Sequence, residues 1–390
     1  MKTKITVLTA TRAEYGLLSP IIHELLTNDF FDVKVVVTGA HLSLDFGLTY
    51  KEIEADGVII DKKIEILTDS DTSTAVSKSM GLAMMKFAEY FEESRPDILM
   101  VLGDRYETLA VCCAAMNARI PIVHLYGGET TEGAIDEAVR HAITKMSYFH
   151  FTSTEEYRKR VVQLGENPER VFTVGGVGIE NALKMPLLSL EELEESIQFK
   201  LDKPYVVVTF HPTTLEEGSA QKQFAEILAA IDENPDMKYI FTKANADANG
   251  RVINRMIDEY VGKRENVVAF ESLGVKRYLS ALKYATMVLG NSSSGLLEVP
   301  SFKIPTINIG DRQKGRLKAE SVIDCEPIKS AVCDSIKKAL SPEFAALAGT
   351  VKNPYGDGNT SKKLVSILER EIKNAGINLK KKFYDVDFEI

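Results

Sequence analysis

Strand-forming and helix-forming segments alternate along almost the whole of this 390-residue chain, and this alternation is the strongest constraint on its fold. Short apolar runs rich in β-branched residues predict strands at Ile5–Leu8, Val33–Thr38, Ile98–Leu102, Ile122–Tyr126, Phe149–Thr152 and Val171–Val174. Helical patterns lie between them at Leu17–Leu26, Tyr50–Ala55, Thr74–Glu93, Thr108–Met116, Ile135–Lys145 and Glu155–Leu164. Strands separated by helices form βαβ units with parallel strands. Because the apolar runs are continuous, helices are expected to cover both faces of the sheet.

The alternation is interrupted at Met185–Lys203, where Pro186 and Pro204 flank a short acidic helical pattern. Further strands are then predicted at Tyr205–Phe210, Lys238–Thr242, Val267–Phe270, Met287–Gly290 and Thr306–Ile309. The chain is therefore predicted to form two α/β domains of similar size, joined near residue 185.

Composition narrows the classes of function. The formal charge is 47 − 56 = −9, which argues against non-specific binding to nucleic acid or to an acidic membrane. No apolar stretch approaches the ~18 residues of a membrane span, and the N-terminus does not resemble a signal peptide. The four cysteines have neither a disulfide pattern nor zinc-ligand spacing. A cytoplasmic protein without metal is expected, and the lysine run at Lys380–Lys382 is expected to be a solvated surface.

Charged residues in the loops after the strands are the first candidates for a site, because doubly wound sheets bind ligands there. Arg12 follows the first strand, where a helix N-terminus would receive a phosphate. Its loop lacks the dinucleotide glycine fingerprint, and a surface ion pair is the alternative interpretation. Asp104 and Arg105 follow the strand Ile98–Leu102, and their position suits a helix cap and a ligand site equally.

Carboxylates are concentrated after the next predicted strand. The pair Gly127-Gly128 would let a ligand approach the backbone, and Glu129 follows directly. Asp136 and Arg140 are four residues apart and share one face of a helix, where an ordinary surface pair is the alternative. Because these acids and the aspartate of the preceding loop lie at neighbouring strand ends, we predict acid/base chemistry there.

The second domain contains a candidate anion site. His211 follows its first strand, although a lone histidine at such a place is often structural. The loop Gly290-Asn291-Ser292-Ser293-Ser294-Gly295 precedes a helical segment that carries Glu298. One serine would suffice as a helix cap, so three predict a phosphate cradle. Arg312 and its basic neighbours follow the next strand and would suit a diphosphate.

The ordered set of motifs resembles the hydrolysing UDP-N-acetylglucosamine 2-epimerases, especially the bacterial branch that supplies N-acetylmannosamine for sialic acid synthesis. The motifs are Thr11-Arg12-Ala13-Glu14-Tyr15-Gly16, Gly103-Asp104-Arg105, Gly127-Gly128-Glu129, Arg140–Met146, Phe210-His211-Pro212, Gly290–Gly295 and Asn308–Arg316. The resemblance implies two Rossmann-like domains facing a cleft, as in one large class of glycosyltransferases (GT-B-like). It places residues 1–184 and a returning C-terminal helix, 365–390, in the first domain and residues 185–364 in the second. It also implies UDP-N-acetylglucosamine and UDP as ligands, no cofactor or metal, and a homodimer.

The resemblance further implies a reaction in two stages. UDP leaves carbon 1 as the proton leaves carbon 2, which gives 2-acetamidoglucal, and water then adds to give free N-acetylmannosamine. The implied UDP-binding residues are Arg12, Asn245, Ser292, Ser293, Ser294, Glu298 (at the ribose) and Arg312. The implied catalytic residues are Asp104, Glu129, Asp136, Arg105, Arg140 and His211, the last at the leaving diphosphate. The chain departs from part of the family at Tyr126, where some relatives carry a glutamate.

Four alternatives stay open. A related hydrolysing enzyme of legionaminic acid synthesis acts on UDP-2,4-diacetamido-2,4,6-trideoxyglucose and has similar motifs. A non-hydrolysing epimerase is disfavoured by the Gly-Gly-Glu segment, and a UDP-sugar glycosyltransferase by the carboxylate cluster. A nucleotide-sugar sensor without activity would leave so many titratable groups unexplained.

Overall fold

The computed structural model describes residues 2–68, 72–131, 135–212, 219–244 and 250–387, which divide into two compact units. The described residues of the first unit lie within 1–130, 135–181 and 355–390, and those of the second lie within 131–134 and 182–354. The returning segment therefore begins at Tyr355, before residue 365, where the sequence-based boundary was placed.

The first unit contains a seven-stranded parallel sheet in the order β3-β2-β1-β4-β5-β6-β7. Its strands are β1 (Thr3–Thr9), β2 (Phe31–Thr38), β3 (Ile60–Ile64), β4 (Ile98–Leu102), β5 (Ile122–Leu125), β6 (Phe149–Thr152) and β7 (Val171–Thr173). Its helices are α1 (Arg12–Thr27), α2 (Tyr50–Ala55), α3 (Ser73–Ser94), α4 (Tyr106–Asn117), α5 (Ile135–Met146), α6 (Glu155–Gln163) and α7 (Val177–Lys184), whose last three residues belong to the second unit, with 3₁₀ turns at Gly39–Leu42 and Pro168–Arg170.

The second unit contains a six-stranded parallel sheet in the order β10-β9-β8-β11-β12-β13. Its strands are β8 (Tyr205–Thr209), β9 (Lys238–Thr242), β10 (Val267–Phe270), β11 (Met287–Gly290), β12 (Thr306–Ile309) and β13 (Val322–Cys325). Its helices are α8 (Leu190–Ile197), α9 (Ser219–Ile231), α10 (Gly250–Val261), α11 (Gly274–Tyr284), α12 (Ser294–Leu297), α13 (Lys329–Ala339) and α14 (Pro342–Thr350), with a 3₁₀ turn at Val299–Phe302. The predicted pair of Rossmann-like domains is confirmed.

Helix α15 (Thr360–Ala375) packs against α1 in the first unit. Leu364 and Leu368 on α15 are fully buried in the same core cluster as Leu18 and Leu25 on α1. Since α1 lies against the sheet, the returning helix adds a further layer to this core.

The strand order reverses at one place in each sheet, between β1 and β4 and between β8 and β11. Loops on either side of a reversal diverge to opposite faces, which leaves a crevice beyond the carboxyl ends of the strands. These two points locate the candidate site residues within each unit.

The expectation that Lys380–Lys382 is simply a solvated surface was wrong for Lys381. Its ammonium group donates to Glu166 Oε2 at 2.7 Å, and that carboxylate is completely buried. Lys380 and Lys382 are exposed. Glu166 requires cationic partners because an uncompensated buried charge is costly.

Candidate active site

Arg140 is the centre of the polar cluster in the first unit. It lies on α5, and its side chain is only 3% exposed. It pairs with Asp104 in the loop after β4, donates to Glu137 Oε2 at 2.9 Å, and donates to the carbonyl oxygen of Glu129 at 2.9 Å. A guanidinium with several donors in a fixed plane can hold two acids and a backbone group together. Arg140 thereby joins the loops after β4 and β5 to the start of α5.

Glu129 has a second partner that sequence analysis missed. The hydroxyl of Ser153, directly after β6, donates to Glu129 Oε1 at 2.9 Å, and both residues are buried. The glycine before Glu129 is required by close packing, because a Cβ on Gly128 would lie 2.3 Å from the carbonyl oxygen of Tyr157, and its φ is +81°. Ser153 therefore fixes the carboxylate, and Gly128 permits the loop to lie against α6.

His124 on β5 connects the same loops from within the core. Burial lowers the pKa of His124 to about 3, so its imidazole is neutral. Its Nε2 lies 2.8 Å from the carbonyl oxygen of Gly103, and its Nδ1 lies 3.2 Å from the Thr144 hydroxyl. Because a carbonyl can only accept, Nε2 carries the proton and Nδ1 accepts from Thr144. This neutral histidine holds the backbone directly before Asp104.

The remaining predicted residues of the first unit lie at the same edge of the sheet. Arg12 is the exposed first residue of α1, and Asp136 is half-buried in the first turn of α5. Arg105 donates to Glu107 Oε1 at 2.5 Å. Tyr126 directly follows β5 with a left-handed φ of +67°, and its hydroxyl accepts from Val177 N at 2.9 Å, at the start of α7. In this chain the position before the paired glycines therefore contacts a helix terminus.

Asn291 is the centre of the corresponding region in the second unit. Its side chain accepts from His211 N and donates to His211 O, both at 2.8 Å. Its own carbonyl oxygen accepts from Arg312 at 3.0 Å and from Gln313 at 2.9 Å. The loops after β8, β11 and β12 are thus joined at one residue. Burial, reinforced by the nearby charge of Arg312, lowers the pKa of His211 to about 4, so its imidazole is neutral.

The serine loop continues from Asn291 into α12, which has only four residues. Ser292 Oγ accepts from Ser294 N at 3.4 Å, and Ser293 immediately precedes the helix. Glu298 follows this helix, and burial raises the pKa of its carboxyl group. The hydroxyls of Ser294 and Tyr278 and the carboxylate of Glu298 contain buried polar atoms that lie close to one another. Such a group of atoms can receive the hydroxyls of a polar ligand.

Tyr278 was not predicted, because it lies on α11, on the other side of β11 from the serine loop, and a single tyrosine in a helix gives no signal. Asn245, the remaining predicted residue, lies outside the described residues. Within the parts of the chain that the structure describes, no group of three or more His, Cys, Asp and Glu side chains is arranged to hold a metal ion. None of the described helices combines the length and the apolar character needed to cross a membrane.

The two units together define a class of α/β protein with two Rossmann-like domains, one rich in paired carboxylates and the other in hydroxyls and cations. The sequence model of the UDP-N-acetylglucosamine 2-epimerase family matches residues 23–369. The chain therefore belongs to this family, and its relatives place it among the hydrolysing 2-epimerases.

Three known proteins illustrate the similarity. The GDP/UDP-N,N'-diacetylbacillosamine 2-epimerase (hydrolyzing) of Campylobacter jejuni is 46% identical over 326 residues, which cover 83% of this chain and 85% of that protein. Polysialic acid biosynthesis protein P7 of Escherichia coli is 40% identical over 384 residues, which cover 98% of this chain and 97% of that protein. The UDP-GlcNAc 2-epimerase of Methanocaldococcus jannaschii, crystallised with UDP-GlcNAc and UDP, shares the fold with a TM-score of 0.77 at 19% identity, over 94% of this chain and 100% of that chain.

Proposed function

We propose that the protein converts a nucleoside diphosphate-linked 2-acetamido sugar and water to the free 2-epimeric sugar and the nucleoside diphosphate. The observation that carries this proposal is the buried Arg140, which holds the Asp104 carboxylate and the Glu129 backbone beside one another. Two acids at the carboxyl ends of neighbouring strands suit a reaction that removes a proton from carbon 2 of the sugar and later adds a proton to the same carbon.

The chemistry makes departure of the diphosphate the principal electrostatic demand. The hydrogen at carbon 2 has no adjacent carbonyl group to acidify it, so positive charge develops at the ring as the bond from carbon 1 to the bridging oxygen breaks. The electron pair leaves with the nucleotide, and a carboxylate takes the proton from carbon 2. In the second stage, carbon 2 is protonated on the face opposite to the one that lost its hydrogen, while water adds its hydroxyl to carbon 1 and gives its remaining proton to a carboxylate. Cationic groups aimed at the leaving oxygens lower this barrier.

In the second unit, Arg312 would supply that positive charge. His211 is neutral at pH 7 and would act as a hydrogen-bonding group unless the bound diphosphate raised its pKa. Ser292 and Ser293 would contribute hydroxyls or backbone N–H groups, and Glu298 would accept from the ribose hydroxyls. From the first unit, Arg12 would contribute a second cation.

The substrate that we favour is UDP-linked 2,4-diacetamido-2,4,6-trideoxyglucose. This sugar is N,N'-diacetylbacillosamine, which appears in the name of the 46% identical C. jejuni relative. The product would be the corresponding free sugar of manno configuration. A second candidate is UDP-N-acetylglucosamine, with N-acetylmannosamine as the product for sialic acid synthesis. Protein P7 supports it, because that relative matches 98% of this chain and is named for polysialic acid synthesis.

Incubation with both UDP-sugars and with the GDP-linked diacetamido sugar, in heavy water, tests this proposal. We expect one substrate to give a free 2-epimeric sugar with deuterium at carbon 2. Oxygen from labelled water should appear at carbon 1 and not in the nucleotide. The reaction should persist with excess chelator. A released sugar of unchanged configuration that keeps its original hydrogen at carbon 2 would reject the proposal in favour of simple hydrolysis.

A matched pair of variants tests the site. Asp104→Asn should lower kcat by a factor on the order of 10²–10⁴, as expected for loss of a general acid or base. Asp29→Asn is the control, because this aspartate is fully exposed on the same unit. Equal activity of the two variants would remove Asp104 from the proton-transfer step.

A further inference from the structure

Two buried glutamates lie at the strand-order reversal of the first sheet, and the reaction proposed above uses neither. Glu14 is in the first turn of α1, after β1, and Glu107 is in the first turn of α4, after β4. Their exposures are 5% and 1%. The strands β1 and β4 are neighbours, so both side chains enter the crevice where a doubly wound sheet binds its ligand.

The hydrogen bonds of the pair are unequal. Glu14 Oε2 accepts from the backbone N–H of Ala10 at 2.6 Å, whereas Glu107 Oε1 accepts from the guanidinium of Arg105 at 2.5 Å. The other oxygens, Glu14 Oε1 and Glu107 Oε2, are buried and have no hydrogen-bond partner among the described residues. The positive charge of Arg105 acts on both Glu107 and Glu14. With both carboxylates ionised, Arg105 would be shared between two buried negative charges, which is costly.

The surroundings of Glu14 agree with an uncharged side chain. Burial raises the pKa of Glu14 to about 8, and the negative charge of Glu107 acts in the same direction. The hydrogen bond from Ala10 N–H and the positive charge of Arg105 lower this pKa, but by less. The loop after β2 also contacts the backbone beside Glu14. His41 in that loop donates its backbone N–H to Ala10 O, and burial keeps its imidazole neutral with a pKa of about 4.

We propose that Glu14 is a neutral carboxylic acid in the resting enzyme and that it is a positioning residue for Arg105. While Glu14 is neutral, the guanidinium of Arg105 is paired with one carboxylate, that of Glu107. The half-exposed side chain of Arg105 then remains available to an anionic substrate. Ionisation of Glu14 would add a second carboxylate behind the guanidinium and draw it away from the substrate. The effect on turnover rests on the proposed function, whereas the protonation state of Glu14 does not.

The kinetic test compares Glu14→Gln with Glu107→Gln. An amide has the shape of the neutral acid, so Glu14→Gln should keep KM at pH 7 within about twofold of the wild type. In the wild type, KM should rise as the pH passes through about 8, with kcat changing less, and Glu14→Gln should lack this rise. Glu107→Gln should raise KM at every pH, since Arg105 loses its partner. A wild-type KM rise that persists in Glu14→Gln would overturn the proposal.

A second measurement needs neither substrate nor variant activity. Carbon-13 NMR of protein labelled at the glutamate side-chain carboxyl groups should show one buried carboxyl that titrates near pH 8, absent from Glu14→Gln. Thermal unfolding gives a third comparison: the wild type should lose stability relative to Glu14→Gln as pH rises from about 4.5 to 8. A Glu14 signal that titrates near its ordinary value would refute the inference. If the titration is seen but no sugar is turned over, the proposed function fails and the neutral acid remains.

Discussion

The lysine at position 381 provides a quantitative test of the buried charges in the first unit. Its Nζ donates to Glu166 Oε2 at 2.7 Å, to Ser147 O at 2.8 Å and to Lys145 O at 2.9 Å. Glu166 has two further partners, Lys145 Nζ at 2.6 Å and His150 Nε2 at 3.0 Å. Lys381→Met retains most of the side-chain stem but removes all three donors. The substitution therefore isolates the polar contribution of one tail residue.

Two arguments set the order of magnitude of the loss. Breaking a buried ion pair costs about 3–5 kcal/mol, and the lower end applies because Glu166 keeps two partners. Although burial opposes it, hydrogen bonding by His150, Lys145 and Lys381 lowers the pKa of Glu166 from 4.5 to about 2. At about 1.36 kcal/mol per unit, the net effect of burial and all three partners on stability is about 3 kcal/mol at neutral pH. We expect Lys381→Met to lower the free energy of unfolding by about 2–3 kcal/mol.

The assay is urea unfolding of Lys381→Met beside Lys380→Met and Lys382→Met, which change exposed neighbours of the same type. The controls should lie within about 0.5 kcal/mol of the wild type. A depressed carboxyl pKa stabilises the fold above the unfolded pKa, and this stability is lost as pH falls towards the folded pKa. The deficit of Lys381→Met should therefore shrink as pH falls from about 4.5 to 2. A Lys381→Met variant as stable as its controls would refute the reasoning.

Three further predictions concern the sites. In urea unfolding, Gly128→Ala should destabilise the protein by more than about 3 kcal/mol, since the new methyl group would overlap a backbone oxygen. Gly47→Ala is the control, because Gly47 has a similar φ and open space around it, and its loss of unfolding free energy should be only about 1–2 kcal/mol. His124 should remain the neutral Nε2–H tautomer between about pH 5 and 9 in nitrogen-15 NMR, because its pKa is about 3, and an imidazolium signal in that range would contradict the assignment. Arg312→Ala should weaken UDP binding in calorimetry by about 1.5–3 kcal/mol, whereas Lys314→Ala in the same loop should not, and equal affinities would place the diphosphate elsewhere.

Most of the fold followed from the sequence because central parallel strands are apolar on both faces. Ile98–Leu102, for example, is buried at every position and matches its predicted range. The two strands that were missed, β3 and β13, lie at sheet edges. Ile60–Ile64 carries three consecutive charged residues, which an edge strand tolerates because one side faces solvent. Such a strand has no continuous apolar run to reveal it.

The candidate site was less accessible to sequence reasoning, because its contacts depend on which strands are neighbours. Asp104 and Arg140 were both selected for charge at strand ends, yet the pair between them joins residues 36 positions apart. Ser153 and His124 gave no signal, since an isolated serine or an apolar-strand histidine is ordinary. Their roles appear only when β4, β5 and β6 are seen side by side. The neutral state of Glu14 likewise depends on burial.

The return of the chain to the first unit affects the order in which the protein can fold during synthesis. The chain leaves and re-enters this unit at adjacent points, where Gly176 N–H donates to Tyr355 O at 2.6 Å. Residues 182–354 therefore form an insertion between neighbouring positions of the first unit. On the ribosome, the N-terminal sheet emerges first, but the apolar face of α1 that receives Leu364 and Leu368 has no covering helix until the whole second unit has been made. The hydrophobic core of the second unit can thus be complete while the first unit, although synthesised earlier, still exposes apolar surface to chaperones.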